Sequence, residues 1–102
     1  MSNELKGKVA VVTGSSRGIG RGIAIGLGEK GATVYITGRS KGNGPLTIEE
    51  TAEMVNEAGG IGMPVGVDLG DDKQIEALYE EIANEHGRLD IHVNNAFKIP
   101  DP

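Results

Sequence analysis

The sequence predicts half of a doubly wound α/β domain, a parallel sheet in βαβαβαβ order. Three observations lead there. Four short apolar, β-branched runs are spaced along the chain, as expected for strands buried on both faces. Between them lie three stretches with helical periodicity. The connections are short, so strands joined through helices must run parallel by right-handed crossovers, because a twisted strand feeding a helix packs back onto the sheet only that way.

The first strand is read at Val9 to Thr13 and leads into the glycine-rich run Gly14-Ser15-Ser16-Arg17-Gly18-Ile19-Gly20. The first helix runs on to about Lys30, with Ile19, Ile23 and Leu27 at i, i+4 and i+8 and Ala24 beside them, a stripe expected to face the sheet. Gly22, Gly26 and Gly28 lie inside this helix, each costing about 1 kcal/mol relative to alanine unless close packing compensates. The second strand is read at Thr33 to Thr37, and Ser40 to Pro45 has linker composition. The second helix opens with Thr47-Ile48-Glu49-Glu50, a capping-box spacing, turns Ile48, Ala52 and Val55 inward, and ends at Gly59-Gly60. A third strand is expected at Gly62 to Val67. The third helix starts at Asp71, with Gln74 three residues on, places Ile75, Leu78 and Ile82 on one face, and stops at Gly87. Leu89 to Asn94 forms the fourth strand.

Bulk properties narrow the function. At 102 residues the chain is one domain at most, and such a domain buries roughly two-thirds of its unfolded surface. The net charge is −5 with no basic cluster, which gives no electrostatic reason to expect nucleic-acid binding. Without cysteine there is no disulfide framework, thiolate metal site or thiol nucleophile, and the isolated His86 and His92 do not suggest a metal centre. No apolar leader and no membrane-length apolar stretch is visible, so a cytoplasmic protein without membrane contact is expected.

The glycine run is the most informative feature. A turn from strand into helix leaves unpaired N–H groups and a positive dipole end aimed at whatever lies above it, which favours a pyrophosphate. The spacing is Gly-x-x-x-Gly-x-Gly, and no Gly-Lys-Ser/Thr follows to make a triphosphate loop. This run resembles the cofactor motif of the short-chain dehydrogenase/reductase family. Similarity continues through Gly31-Ala32-Thr33-Val34-Tyr35-Ile36-Thr37-Gly38-Arg39, Val67-Asp68-Leu69 and Gly87-Arg88-Leu89-Asp90-Ile91-His92-Val93-Asn94-Asn95-Ala96, each in the family's order. These motifs cover nearly all of the chain and only the first part of the family's usual length. The resemblance implies a partial Rossmann sheet in strand order 3-2-1-4, with the first two helices on one face and the third on the other. It implies a nicotinamide dinucleotide in the crevice where strand order reverses. The Gly38-Arg39 start and the long loop into Thr47 to Glu53 look most like the branch that includes dehydrogenase/reductase member 1.

Cofactor choice turns on the end of the second strand, where an acid would bond the ribose hydroxyls and repel a 2′-phosphate. Gly38 occupies that place and Arg39 follows; a guanidinium fork matches phosphate oxygens, and Arg17 could approach the same group. NADP is therefore expected over NAD, although each arginine, taken alone, reads equally well as a solvated surface residue. By resemblance, Asp68 and the backbone of Leu69 lie near the adenine, and Asn94, Asn95 and Ala96 run under the adenine ribose. Asp68 also reads as a turn aspartate, and one asparagine as a tie between strands. The family usually has glycine after Asn-Asn-Ala, where this chain has Phe97, which bears on how closely the backbone can approach there. Ser15 and Ser16 can donate to phosphate or simply form the turn. His92 is read as structural, and His86 as a partner of the helix C-terminal dipole.

The family's chemistry needs a tyrosine, a lysine four residues later and a serine. Neither Tyr35 nor Tyr79 begins Tyr-x-x-x-Lys, so no catalytic residue is assigned. Residues 1–102 are expected to be an N-terminal NAD(P)-binding portion whose catalytic portion is absent from the chain. The alternatives are a non-catalytic NADP sensor or interaction module and, more remotely, a nucleotide user such as a methyltransferase. An open sheet edge carrying Ile91, Val93, Ala96, Phe97 and Ile99 would invite self-association or a complementary catalytic chain.

Overall fold

The computed structural model describes residues 3–13, 18–38, 47–67 and 71–94. Its elements are β1 (Val9–Thr13), α1 (Gly18–Glu29), β2 (Thr33–Gly38), α2 (Ile48–Ala58), β3 (Ile61–Gly66), α3 (Asp72–His86) and β4 (Ile91–Asn94). The four strands form one parallel sheet in the order β3-β2-β1-β4. The expected topology is the observed one. The third strand begins one residue earlier than expected and the fourth two residues later.

Helix boundaries follow local chemistry. Thr47 caps α2, its hydroxyl accepting from the Glu50 N–H at 3.2 Å. Asp71 caps α3 by accepting from the Lys73 N–H at 3.0 Å, and the Gln74 amide donates back to its carboxylate at 3.2 Å. Gly59 and Gly87 end these helices in the left-handed conformation that costs glycine nothing.

Two clusters sandwich the sheet. On one face Val12, Val34 and Ile36 meet Ala24 of α1 and Ile48, Ala52 and Val55 of α2. On the other, Val9, Val11 and Tyr35 meet Leu78 and Ile82 of α3. Every residue of β1 is buried, and β2 is buried from Val34 on, because both lie inside the sheet and both are covered on two faces.

Two expectations about burial are corrected. β3 is an edge strand in which no residue is buried, so it is not covered as β1 and β2 are; Ile61 is 54% exposed. Pro64, opposite Ile36, stands in this outer strand with no N–H to offer another. The inward face of α1 is also different. Ile19 is 75% exposed, and the buried residues are Gly20, Ala24 and Gly28, with Ile23 and Leu27 packed at the flanks. Small residues win this face because α2 comes too close for large ones. A Cβ on Gly28 would lie 2.8 Å from Val55 Cγ1, and one on Gly60 would lie 2.7 Å from the Gly28 Cα. Close packing thus explains Gly28 but not Gly22 or Gly26, which have open space around them among the described residues.

The amino end of the sheet is tied by Asp90, whose carboxylate accepts from the Val9 N–H at 2.8 Å and meets Arg88 Nε at 3.1 Å. The backbone donor, with Arg88 and Lys8 assisting, holds the Asp90 carboxyl below the usual carboxylate range.

Candidate functional site

The strand order reverses between β1 and β4, so the crevice outside their carboxyl ends is where a doubly wound sheet takes its ligand. β1 ends at Thr13 opposite Asn94, the last residue of β4. The Thr13 hydroxyl donates to the Val93 carbonyl at 3.4 Å, and the Thr37 hydroxyl of β2 to the Val12 carbonyl at 3.3 Å. These two hydroxyls tie β4, β1 and β2 together at the mouth of the crevice. Sequence reasoning missed Thr37; the available signal was a threonine at the same end of the neighbouring strand.

α1 opens into this region. Gly18 has a φ of +66°, a conformation that L side chains rarely adopt, so glycine is required at the helix start. Gly20 is buried against the core, and Ile19 projects outward as an exposed apolar side chain. α1 has no acidic residue in its first turn, whereas α2 carries Glu49 and Glu50 there and α3 carries Asp72. Carboxylates neutralise a positive helix end, and α1 carries none of its own in that turn.

Of the residues assigned to the cofactor, Gly18, Ile19 and Gly20 are thus placed at the mouth of the crevice, and the backbone of Asn94 lies across from Thr13. Gly14, Ser15, Ser16, Arg17, Arg39, Asp68, Leu69, Asn95 and Ala96 lie outside the described residues, as do Phe97 and Ile99. Their neighbours in the chain locate where they attach. Thr13 and Gly18 flank residues 14–17, Gly38 precedes Arg39, and Val67 precedes Asp68.

Arg21, one position beyond the glycine run, was not singled out by its pattern. Its Nη1 meets Glu50 Oε1 at 2.5 Å, its Nε donates to Thr51 Oγ1 at 2.9 Å, and its Nη2 donates to the Thr47 carbonyl at 3.3 Å. One guanidinium therefore joins the start of α1 to the start of α2.

The histidines are structural partners of tyrosines. His86, the last residue of α3, has its Nε2 2.9 Å from the Tyr35 hydroxyl, which also donates to Glu85 Oε2 at 3.1 Å. Burial first, then the Glu85 carboxylate, pushes the Tyr35 phenol up to about 12, far from the range of a neutral-pH acid or base. His92 Nε2 lies 3.0 Å from the Tyr79 hydroxyl, and burial raises that phenol as well. His86 stands at the helix end as expected, but its ring serves the sheet. Among the described residues no group of His, Cys, Asp and Glu could hold a metal ion, and no helix is long and apolar enough to cross a membrane.

Strand order, a glycine-led helix at its reversal and a crevice above them define the doubly wound α/β proteins that take ligands at the carboxyl ends of their strands. The family model described as short chain dehydrogenase matches residues 8–98, and the chain belongs to that family. Dehydrogenase/reductase SDR family member 1 of Mus musculus is 48% identical over 94 residues, which are 91% of this chain and 29% of that protein. The chain therefore spans less than a third of this relative's length. A metagenomic short-chain oxidoreductase in complex with NADP superposes with a TM-score of 0.84 at 40% identity, covering 91% of this chain and 40% of that one. The NADH-dependent reductase A1-R′ complexed with NAD superposes with a TM-score of 0.80 at 30% identity, covering 96% and 39%. The resemblance to the member 1 branch is thus matched by a relative of that name, while solved relatives hold either dinucleotide.

Proposed function

We propose that residues 1–102 are the NADP(H)-binding portion of a short-chain oxidoreductase that moves hydride between nicotinamide and a carbonyl or alcohol. The observation that carries this reading is the start of α1, glycine-led and without a first-turn acid at the reversal of strand order. Backbone N–H groups from Gly18 to Gly20, with the Gly14 to Arg17 turn before them, would receive the pyrophosphate. Exposed Ile19 would shield it from water on one side. Asp68 and Leu69 would receive the adenine, and Asn94, Asn95 and Ala96 its ribose. Preference for NADP follows from Gly38 standing where an acid would bond the ribose hydroxyls, with Arg39, and Arg17 behind it, available for a 2′-phosphate.

A bound nicotinamide supplies the hydride acceptor or donor. Proton transfer needs a phenol lowered by a neighbouring cation, and the sequence contains no Tyr-x-x-x-Lys. Tyr35 is shifted the opposite way. Residues 1–102 are therefore assigned to cofactor binding, and no residue among them is assigned to proton transfer.

A second reading, an NADP-binding interaction module, is favoured by β4, whose Ile91 and Val93 are only half-buried and which, among the described residues, pairs with β1 alone. A second copy or a complementary catalytic chain would add its strand there.

Calorimetric titration with NADPH and NADH tests the main reading. Tighter NADPH binding is expected, and Arg39→Asp should weaken NADPH at least about tenfold while changing NADH little, as expected for loss of a charge-assisted bond. Equal affinities in the unaltered chain, or equal losses in the variant, would reject the 2′-phosphate assignment. Sedimentation of the same samples separates the second reading, which requires assembly at β4.

A further inference from the structure

We propose that Asn56 and Pro64 together close the β3 margin of the sheet to strand addition by a second copy of this chain. Among the described residues β3 pairs with β2 alone. At its two ends the Ile61 N–H bonds to the Ala32 carbonyl and the Val67 N–H to the Gly38 carbonyl, each at 3.1 Å, and the register between them is unbroken. Backbone groups of a strand point alternately to its two sides, so those of Met63 and Val65 also face β2, and those of Gly62, Pro64 and Gly66 face outward. A joining strand would have to bond to these three residues. Two of their N–H donors are missing: the Gly62 N–H is already given to Asn56 Oδ1 at 2.8 Å, and Pro64 has none. The carbonyls remain, so an incoming strand meets acceptors without the alternating donors that would set its register.

The composition of β3 leaves this task to its backbone donors. Ile61–Gly66 holds no charged residue and exposes Ile61, so its side chains offer no repulsion to a like strand. The fold brings Asn56 to the margin. Asn56 stands in the last turn of α2, where its backbone carbonyl accepts from the Gly59 N–H at 3.1 Å, and the chain returns through Gly60 into β3. Gly62 then runs so close under α2 that an added Cβ would lie 2.7 Å from the Ala52 Cα. That approach lets a side chain as short as asparagine reach the outward N–H. One residue thus closes the end of the helix with its carbonyl and covers the strand margin with its amide.

The test is sedimentation of the full chain and of Asn56→Ala, Asn56→Asp, Pro64→Ala and the double variant Asn56→Ala/Pro64→Ala, with fold checked by circular dichroism and amide exchange followed residue by residue. Asn56 and Pro64 are both exposed, and alanine is the better helix former, so association of Asn56→Ala would not come from a weakened core or α2. Each restored donor should strengthen self-association about fivefold over the unaltered chain, and both together about twenty-fivefold, in keeping with the net worth of one and of two hydrogen bonds. The Gly62 amide should exchange at least about fivefold faster in monomeric Asn56→Ala than in the unaltered chain, and should slow again, together with Gly66, when the double variant assembles. Asn56→Asp keeps an acceptor for the Gly62 N–H and should leave both association and Gly62 exchange unchanged. If a Pro64 variant fails to fold, Asn56→Ala against Asn56→Asp decides the matter. Unchanged association of folded Asn56→Ala and double variants, assembly without protection of Gly62 and Gly66, or a Gly62 amide that exchanges equally fast with and without the Asn56 side chain overturns the inference.

Discussion

On one face of the sheet, α1 and α2 approach so closely that glycines set the contact, whereas on the other face α3 lies alone and is held by aromatic and hydrogen-bonded pairs. In the first layer Gly28 meets Val55, Gly60 meets Gly28, and Gly62 of β3 meets the Ala52 backbone of α2. In the second, Leu78 and Ile82 rest on Tyr35 and Val11, and the hydroxyls of Tyr35 and Tyr79 reach His86 and His92. The second layer leaves a groove of about 320 Å³ beside Val65, Val67 and Leu78. The close contacts between Gly28, Val55 and Gly60 lie at the carboxyl ends of α1 and α2, while the starts of the two helices are joined by the Arg21 side chain. α3 has only to cover apolar surface, and side chains suffice.

Gly62→Ala should break the first layer most severely. Its added Cβ would stand 2.7 Å from the Ala52 Cα, a backbone atom that cannot swing aside, and a loss of about 3 kcal/mol, or failure to fold, is expected in a denaturant titration. Tyr35→Phe tests the second layer and should cost about 1.5 kcal/mol at neutral pH, the worth of a hydrogen bond to a charged group. Its pH dependence has a definite sign. The Tyr35 phenol is raised from 10.0 to about 12 in the folded chain, so its contribution is intact below pH 10 and is lost as pH rises towards 12. The stability difference between the unaltered chain and Tyr35→Phe should therefore be flat from neutral pH to pH 10 and shrink above it; a difference that stays flat above pH 10 would mean the phenol is not held as described. The smallest change sharpens the contrast within α1. Gly22→Ala enters open space and should stabilise by about 1 kcal/mol in thermal melts, the opposite sign from Gly62→Ala.

Much of the fold was legible because its signals are local. Caps at Thr47 and Asp71, stops at Gly59 and Gly87, and the β-branched runs of β1 and β2 each depend on a few neighbouring residues. What escaped depends on distance in the chain. Of the α1 stripe of Ile19, Ile23, Leu27 and Ala24, Ala24 is buried and Ile23 and Leu27 pack against the core, while Ile19 faces out and Gly20 and Gly28 take the buried places, because the contact with α2 selects the smallest residues. The exposure of β3 follows from its place at the sheet edge, which the expected strand order and Pro64 both signalled. Arg21 meets partners 26 to 30 positions away, and Tyr35 one that is 51 away. Within the glycine run, Gly18 takes a positive φ of the kind that the glycine spacing implies.

Pro64 makes the two margins of the sheet unlike. The outer strand β3 lacks an N–H at its centre, so an incoming strand would find the hydrogen-bond ladder interrupted there. β4 carries no proline, and among the described residues it pairs with β1 alone. The margin that no proline interrupts is therefore the one at the reversal of strand order.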